Sequence, residues 1–503
     1  GVEALSARLD QGIDLLDGGH RPDEHPLRAT LDWSYGLLDE PERELFDALG
    51  VFEGEFDLAA AEAVAEAITG ADRSVAASLA ALVDASLVTP RPGGESVRYR
   101  LLEIVRSFAR ERLAGSGREE AVRAAHAGWV RTLVRTAACD ALGPGEYAAW
   151  TGLRRDAASI RAAARWALRA GRPRLAGEIM GTMMLASMHR RLHLELVEVV
   201  VEVAADPGVR AAPEGIPARA AGALAAVMQG ELDVAEREAR AVLPDTRTTV
   251  ERFVALAALS ITALYRGEHE SARRRCQELL ALDGLPATRQ ALANGNLALL
   301  ACYDGDLDAA RGHAATMSAL AEAAGADAEL SFARYVAAEV AAVTDPVAAL
   351  PLLAVVARDA DRVGNAFTAG LADVAQVAGL TRLGRTAEAL ALFGPLLQRW
   401  LRLAIWPQQW TTLRILAELL AANDWPETAA LLLAAAGHAP SAPAVTGADA
   451  DRYRALAGAL RERVGPDAHD RIKALAAVLP RAQVVDRALA AVDDLRDQDV
   501  PRL

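Results

Sequence analysis

Four tryptophans, Trp400, Trp406, Trp410 and Trp425, crowd into one short C-terminal stretch that runs from WLRLAIWPQQW to NDW. Indole rings stack on sugars and attract cations, and tryptophan is favoured at binding hot spots. The same ring is also a common core filler, so a ligand-stacking role and a packing role both fit this cluster. As a sensing site it would belong to a concave surface built by the surrounding helices. Other residues able to do chemistry are sparse. His189 and His193 are the only histidines spaced four apart. Arg190 and Arg191 lie between them and no Cys or Asp is close, so no metal set is expected. Cys139, Cys276 and Cys302 are far apart and in no metal spacing, and they read as buried free thiols in a reducing cytoplasm.

The 503-residue chain has a single lysine, Lys473, in RIKALA. A Walker A loop, G-x-x-x-x-G-K-[ST], places its lysine at the β- and γ-phosphates, and no such glycines precede Lys473. No G-x-G-x-x-G opens a helix after a strand, and no G-x-S-x-G elbow appears with triad partners. The expectation is a chain with no cofactor, metal or catalytic set of its own, and not an enzyme.

What must position the tryptophans is almost entirely helix. Hydrophobic residues make up 52% of the chain, many of them alanine. Ala, Leu, Arg and Glu are strong helix formers, and runs at strand spacing are few. The longest apolar runs are about half the ~20 residues that span a bilayer. No signal-peptide pattern opens the sequence, so no membrane contact and a cytoplasmic location are expected. The formal charge is −14, and residues 1–97 carry it, with 20 Asp and Glu against 6 Arg. Such a balance argues against bulk affinity for nucleic acid.

In residues 3–17, Leu5, Leu9, Ile13 and Leu16 mark a helix face that Gly18-Gly19 ends; residues 20–26 read as a linker. Next comes HPLRATLDWSYGLLDEPERELFDALGVFEGEF, which packs a Trp, a Tyr and three Phe into a chain that is only 5% aromatic. Leu27, Leu31, Tyr35 and Leu38 share one helix face, and Pro41 suits the first turn of the next helix. Asp57 is a good N-cap for a helix over 58–68, and a further helix runs from Ser74 to about Ser86. LVTPRPGGESVRYRLL then reads as a β-hairpin around a Pro-Gly-Gly turn, followed by a helix over 101–113 that Gly115 ends. Helices followed by a hairpin make a winged helix. A domain this small buries little surface, so large rings must fill its core, and Trp33, Tyr35, Phe46, Phe52 and Phe56 are assigned to that core. The candidate recognition helix, SVAASLAALVDASLV, holds one Asp and no Arg or Lys. Base edges and phosphates are read by cationic and amide side chains, so this module is not expected to read DNA. Arg98, Arg100, Arg106, Arg110 and Arg112 lie among Glu103 and Glu111, and read as a solvated helix face or a domain interface.

From about residue 118 the chain changes character. WTGLRRDAASIRAAARWALRAG, residues 150–171, reads as helix, and a repeat then emerges. MQGELDVAEREARAVL, YRGEHESARRRCQELL, YDGDLDAARGHAATMSAL and RLGRTAEALALFGPLL place a turn glycine at 230, 267, 305 and 384. Alanine follows five residues later in the first three, and Ala387 follows three on in the last. Degenerate copies fit near 345 (TDPVAALPLLAVVARDA) and 424 (NDWPETAALLLAAAG), and an earlier one near 190 (MHRRLHLELVEVVVEVA). This period, with one turn between two apolar helices, is that of a helical-hairpin solenoid of about seven hairpins. Residues 450–496 read as two or three capping helices, and DDLRDQDVPRL as a polar, frayed end.

RATLDWSYGLL, LFDALGVFEGEFDLAAAEAV, LVDASLV and RYRLLEIVRSFARERL together resemble the winged-helix segment of bacterial STAND-type signalling ATPases with NB-ARC cores. These are large transcriptional regulators of the AfsR/SARP and LuxR kinds, common in actinomycetes. LRRDAASIRAAARWAL resembles the segment that follows in them, ahead of a tetratricopeptide-like array. The resemblance is specific over residues 1–170 and generic over the repeats. It implies an all-α chain with one small β-hairpin: residues 1–20 as the end of the helical lid of a preceding ATPase module, 25–115 as the winged helix, 118–180 as a helical connector, 181–445 as the solenoid and 446–503 as capping helices. It further implies a switch in which ADP, held by the preceding module, is exchanged for ATP once an inducer or partner protein binds the repeats. The partners implied are therefore the ATPase module itself and an inducer or protein, with neither nucleic acid nor membrane bound by this chain. Relatives often carry Met-His-Asp after the hairpin, with the His near the ADP phosphate. Leu101, Leu102 and Glu103 stand at the matching positions here, and Leu102 cannot donate a hydrogen bond, so that contact is not carried over. The alternative is a free-standing helical-repeat scaffold for protein–protein interaction.

Overall fold

Asp39, Asp57 and Ser74 stand in extended backbone, and each side chain accepts an N–H three residues on. These caps start three of the five helices of the N-terminal domain in the computed structural model, which describes residues 26–68, 74–91, 97–187 and 194–499. Helix α1 spans Pro26–Gly36, α2 Glu40–Leu49, α3 Leu58–Ala65, α4 Val75–Asp84 and α5 Glu103–Gly115. Asp39 and Glu42 close a capping box with Pro41 in the first turn, satisfying two otherwise orphan N–H groups. Strands β1 (Thr89–Arg91) and β2 (Arg98–Arg100) pair antiparallel, with Pro90 opposite Tyr99, and Tyr99 also bridges Phe56. The hairpin's Pro-Gly-Gly turn, the lid helix over 3–17 and the linker before α1 lie outside the described residues.

Tyr35, Phe46, Phe52 and Phe56 are buried, as their assignment to the core requires. Trp33 is not: it is 67% exposed, like Leu37. Tyr35 turns inward near the end of α1 and Leu38 is buried just past it, while Trp33, two residues before Tyr35, falls on the opposite side of the helix. Tyr35 meets Phe46 and Phe108, and Phe52 stacks on Phe56 at 4.7 Å between ring centres. Helix α5 runs through Gly115, and the left-handed residue that follows is Gly117. Of the two readings given for the Arg group, a solvated helix face or a domain interface, Arg98 does not fit the first. It is buried and held by Asp57 at 3.2 Å, the Glu55 carbonyl at 2.8 Å and Asp156.

Two compact units divide the chain, one of residues 1–133 with 153–175 and the other of residues 134–152 with 176–503. The segment read as a connector is thus shared between them. The single helix expected over 150–171 is two, Glu146–Arg155 and Ala157–Arg169, broken at Asp156.

The second unit is all helix among the described residues. Six helical hairpins follow one another, with turns at 230, 267, 305, 345, 384 and 424. Gly230, Gly267, Gly305, Gly384 and Asp424 take the left-handed conformation there, while the copy at 345 turns through Asp345 instead. Ala235, Ala272, Ala310 and Ala389, each five residues past its glycine, are fully buried. Ala389, rather than Ala387, is therefore the equivalent in the fourth copy, and a small side chain there lets the second helix of each hairpin close on the first. Helices Pro173–Ser187 and Leu194–Ala205 precede these hairpins. Three more, Gly447–Val464, Pro466–Val478 and Arg481–Asp499, end the chain, so the expected frayed end is helical up to Asp499. Among the described residues no helix is long and apolar enough to cross a membrane.

Candidate ligand site

The first helix of each hairpin turns the same face inward, and together these faces line a cavity of about 570 Å³ within the second unit. Ile261 and Tyr265 come from the Thr249–Tyr265 helix, Asn296 and Tyr303 from Ala287–Tyr303, Tyr335 and Glu339 from Asp327–Thr344, and Arg382 and Arg414 from the next two first helices. The volume suits one small organic molecule, and the lining, mostly apolar with a few polar groups, is that of a ligand pocket.

One wall is not a repeat helix. The segment that joins the last hairpin to the capping helices, with the first turn of Gly447–Val464, crosses the inner face as a strap over residues 443–449. The Ala444 N–H donates to the Tyr265 carbonyl at 2.7 Å, Arg414 donates to the carbonyls of Pro443 and Ala436 at 2.8 and 3.1 Å, and Thr446 Oγ1 meets His269 Nε2 at 3.4 Å. Just before it, Ser441 accepts from Trp410 Nε1 at 2.8 Å. The chain passes so close to two repeat turns that glycine is required there. A Cβ on Gly230 would stand 2.3 Å from that of Ser441, and one on Gly267 2.7 Å from Thr446 Cγ2.

Four of the chain's seven tyrosines, Tyr265, Tyr303, Tyr335 and Tyr453, line this cavity. Among them is a carboxylate, Glu339, whose Oε2 is buried without a hydrogen-bond partner among the described residues. Burial pushes the Glu339 carboxyl up to about 7, a shift that Arg382 opposes and Asp449 reinforces. The same carboxylate adds to the desolvation that raises Tyr303, Tyr335 and Cys302, the last to about 11. Arg382 reaches Asp449 at 3.8 Å. A carboxylate whose ionisation is displaced by burial at a cavity wall marks a candidate functional site.

The tryptophan cluster is placed elsewhere, and none of its four members lines the cavity. Trp400 is fully buried, its indole N–H on Thr412 at 3.0 Å and its ring against Gly370. Trp410 is buried, and Trp406 and Trp425 pack partly buried on the same core, Trp406 beneath the Arg481 guanidinium at 4.1 Å. What sequence reasoning missed was the tyrosines. Tyr265 and Tyr303 each stand two residues before a turn glycine, in the YRG and YDG of the quoted repeats, and this shared phase was the available signal.

Among the described residues no group of three or more His, Cys, Asp and Glu could hold a metal ion, while His189 and His193 lie outside those residues. Cys276 is buried and Cys302 half-buried, but Cys139, expected inside, is exposed. Leu102, at the position matching the phosphate-sensing His, is 48% exposed.

Residues 38–114 match the family of winged helix-turn-helix domains. A candidate HTH-type transcriptional regulator of Mycobacterium tuberculosis, Rv0890c, is 46% identical over 121 residues, which is 24% of this chain and 14% of that protein. Its counterpart in Mycobacterium bovis, Mb0914c, matches equally. An uncharacterized protein of M. tuberculosis, Rv0894, is 41% identical over 130 residues, 24% of this chain and 32% of its own length. The chain thus spans a small part of the curated relatives it matches. Among solved structures, a STAND protein with a tetratricopeptide repeat sensor from Pyrococcus horikoshii is similar at 12% identity and a TM-score of 0.41, over 91% of this chain and 68% of that one. The tetratricopeptide domain of P58(IPK) is similar at 15% identity and a TM-score of 0.20, over 76% and 99%.

Proposed function

We propose that this chain is the regulatory and sensor portion of a STAND-type transcriptional regulator. The cavity on the inner face of the repeats carries this reading. A scaffold that binds only proteins has no need of a cavity lined with four tyrosines around a carboxylate oxygen left without a partner among the described residues. The winged helix-turn-helix match and the regulators among the relatives support a role in transcription. In this reading the repeats take up an inducer in a cytoplasmic protein. The winged helix transmits the signal and holds the off state, and ATP or ADP belongs to an ATPase module outside this chain. The chain itself performs no catalysis. Helix α4, at the recognition position, has Asp84 as its only charged residue, which favours transmission over DNA reading.

The test is a thermal-shift screen of this chain against small-molecule fractions, with ATP and ADP alongside. A ligand that binds only the folded chain raises its melting temperature by mass action. The expected outcome is stabilisation by one fraction and none by nucleotide. A shift with ATP or ADP alone would contradict the assignment of nucleotide to another module. Stabilisation by no fraction, together with capture of a protein partner by the repeats, would favour the scaffold reading.

A further inference from the structure

The cavity's charge balance says which chemical class of ligand it takes. Each of the two guanidinium groups that reach it has a protein partner. Arg382 is paired with Asp449, and Arg414 is spent on the carbonyls of Pro443 and Ala436. His269 is engaged on both ring nitrogens, by Asp304 at 2.8 Å and by Thr446. Glu339 is different, because its Oε2 is buried and accepts no hydrogen bond among the described residues. A carboxylate left so is costly unless a cation arrives to pair with it. Around it the lining supplies Tyr265, Tyr303 and Tyr335, whose ring faces carry the negative quadrupole that attracts ammonium groups. The rest of the wall is mostly Leu, Val, Ile, Ala and Phe, with a few neutral polar groups, Asn296, Thr368, Gln408 and Thr411, among them.

We infer that the cavity binds a small apolar molecule carrying one cationic amine or quaternary ammonium, with Glu339 as its counter-ion and the tyrosine rings as its cage. This rests on the sensor reading and deepens it by naming the ligand class. The cation would enter beside Tyr303, which remains half-exposed, and its apolar body would lie against Ile261, Leu299 and Leu371. Glu339, raised to about 7 by burial, would give up its proton as the cation settles.

The test uses the full chain and three probes of one shape: benzyltrimethylammonium, its uncharged carbon isostere neopentylbenzene, and phenylacetate. Binding is measured by calorimetry at pH 7.5. The expected result is that the ammonium binds at least tenfold tighter than either other probe. Glu339→Gln, close in size and still able to fold, should lose at least tenfold for the ammonium and leave the neutral probe unchanged. Tyr303→Leu should weaken the ammonium several-fold, and thermal melts report whether each variant is folded. Equal binding of the ammonium and the neutral probe, or tighter binding of phenylacetate, overturns the inference while leaving a ligand cavity and the sensor reading in place. Ammonium binding that survives Glu339→Gln unchanged overturns the assignment of the counter-ion. Failure of all three probes to bind the wild-type chain overturns the inference; the sensor reading is then judged separately, by the small-molecule screen.

Discussion

Arg98 on the second strand of the hairpin and Asp156 at the break between two helices form an ion pair that solvent does not reach. The two lie far apart in sequence, and the pair ties the wing to the segment that follows the winged helix. The Asp156 carboxyl is raised, burial outweighing the attraction of Arg98. Removing Asp156 leaves the buried Arg98 with only Asp57 and the Glu55 carbonyl, a loss of up to about 3–5 kcal/mol, whereas replacing both members of a buried pair with apolar residues is often neutral. Asp156→Leu is therefore expected to destabilise the first unit by that order, and Arg98→Met with Asp156→Leu to recover most of the loss. Chemical denaturation of the four chains of a double-mutant cycle checks this.

His126 gives the same unit a pH response. Its ring is fully buried, edge-on to Phe52 at 5.1 Å, and burial lowers it to about 3. A histidine lowered on folding stays neutral in the folded state and takes a proton when unfolded. Stability from this group is therefore complete above about pH 6.5 and is lost as pH falls toward 3. By pH 5 the loss is about 2 kcal/mol. His126→Phe should flatten the melting temperature of the first unit across that window. An unchanged acid limb would show that His126 is not its cause.

Glu339 gives the second unit the opposite slope. A carboxyl raised to about 7 binds more protons folded than unfolded between about pH 4.5 and 7, so its contribution to stability falls as pH rises through that range. Arg382 and Asp449, which face it, set the extent. Glu339→Gln should stabilise the ligand-free repeats at pH 8 by on the order of 2 kcal/mol, read as a melting temperature that no longer declines from pH 5 to 8.

The strap makes a prediction about two glycines. Gly230 and Gly305 are both left-handed, but only Gly230 has the strap beside it, since nothing lies within 4 Å of a Cβ at Gly305. Gly305→Ala should cost the ~1–2 kcal/mol of placing an L-residue in that conformation. Gly230→Ala should cost more and also loosen residues 441–449, seen as faster backbone hydrogen exchange at Ala444.

The tryptophan cluster separates packing from recognition. Trp400→Ala should cost about 3–5 kcal/mol, as for other fully buried large side chains. Trp406→Ala should cost less and leave ligand affinity unchanged, because Trp406 does not line the cavity. Loss of ligand binding with the fold intact would move the site to the tryptophans.

Much of this architecture was legible in the residues. The Asp57 cap, the helix start at Ser74 and the glycine period are local signals, and each maps onto an element in the expected place. The cavity was less legible because it is a property of stacking. Tyr265, Tyr303 and Glu339 converge only once successive hairpins turn the same face inward. Trp33 misled for a related reason. Aromatic content predicts a core in a small domain, but which ring faces inward depends on a helix phase that Tyr35 and Leu38 already fix. The buried pairing of Arg98 was not legible because its acceptors lie 41 and 58 residues away.

The central claim is that the repeats hold a small molecule inside them. It is tested most directly by native mass spectrometry of the intact chain incubated with a cell extract, comparing wild type with Ala378→Trp, which fills the cavity from its wall. The account predicts a one-to-one adduct on the wild-type chain that is absent from the filled one, both remaining folded. An adduct that persists in Ala378→Trp, or a wild-type chain that takes up nothing but ATP or ADP, would contradict it.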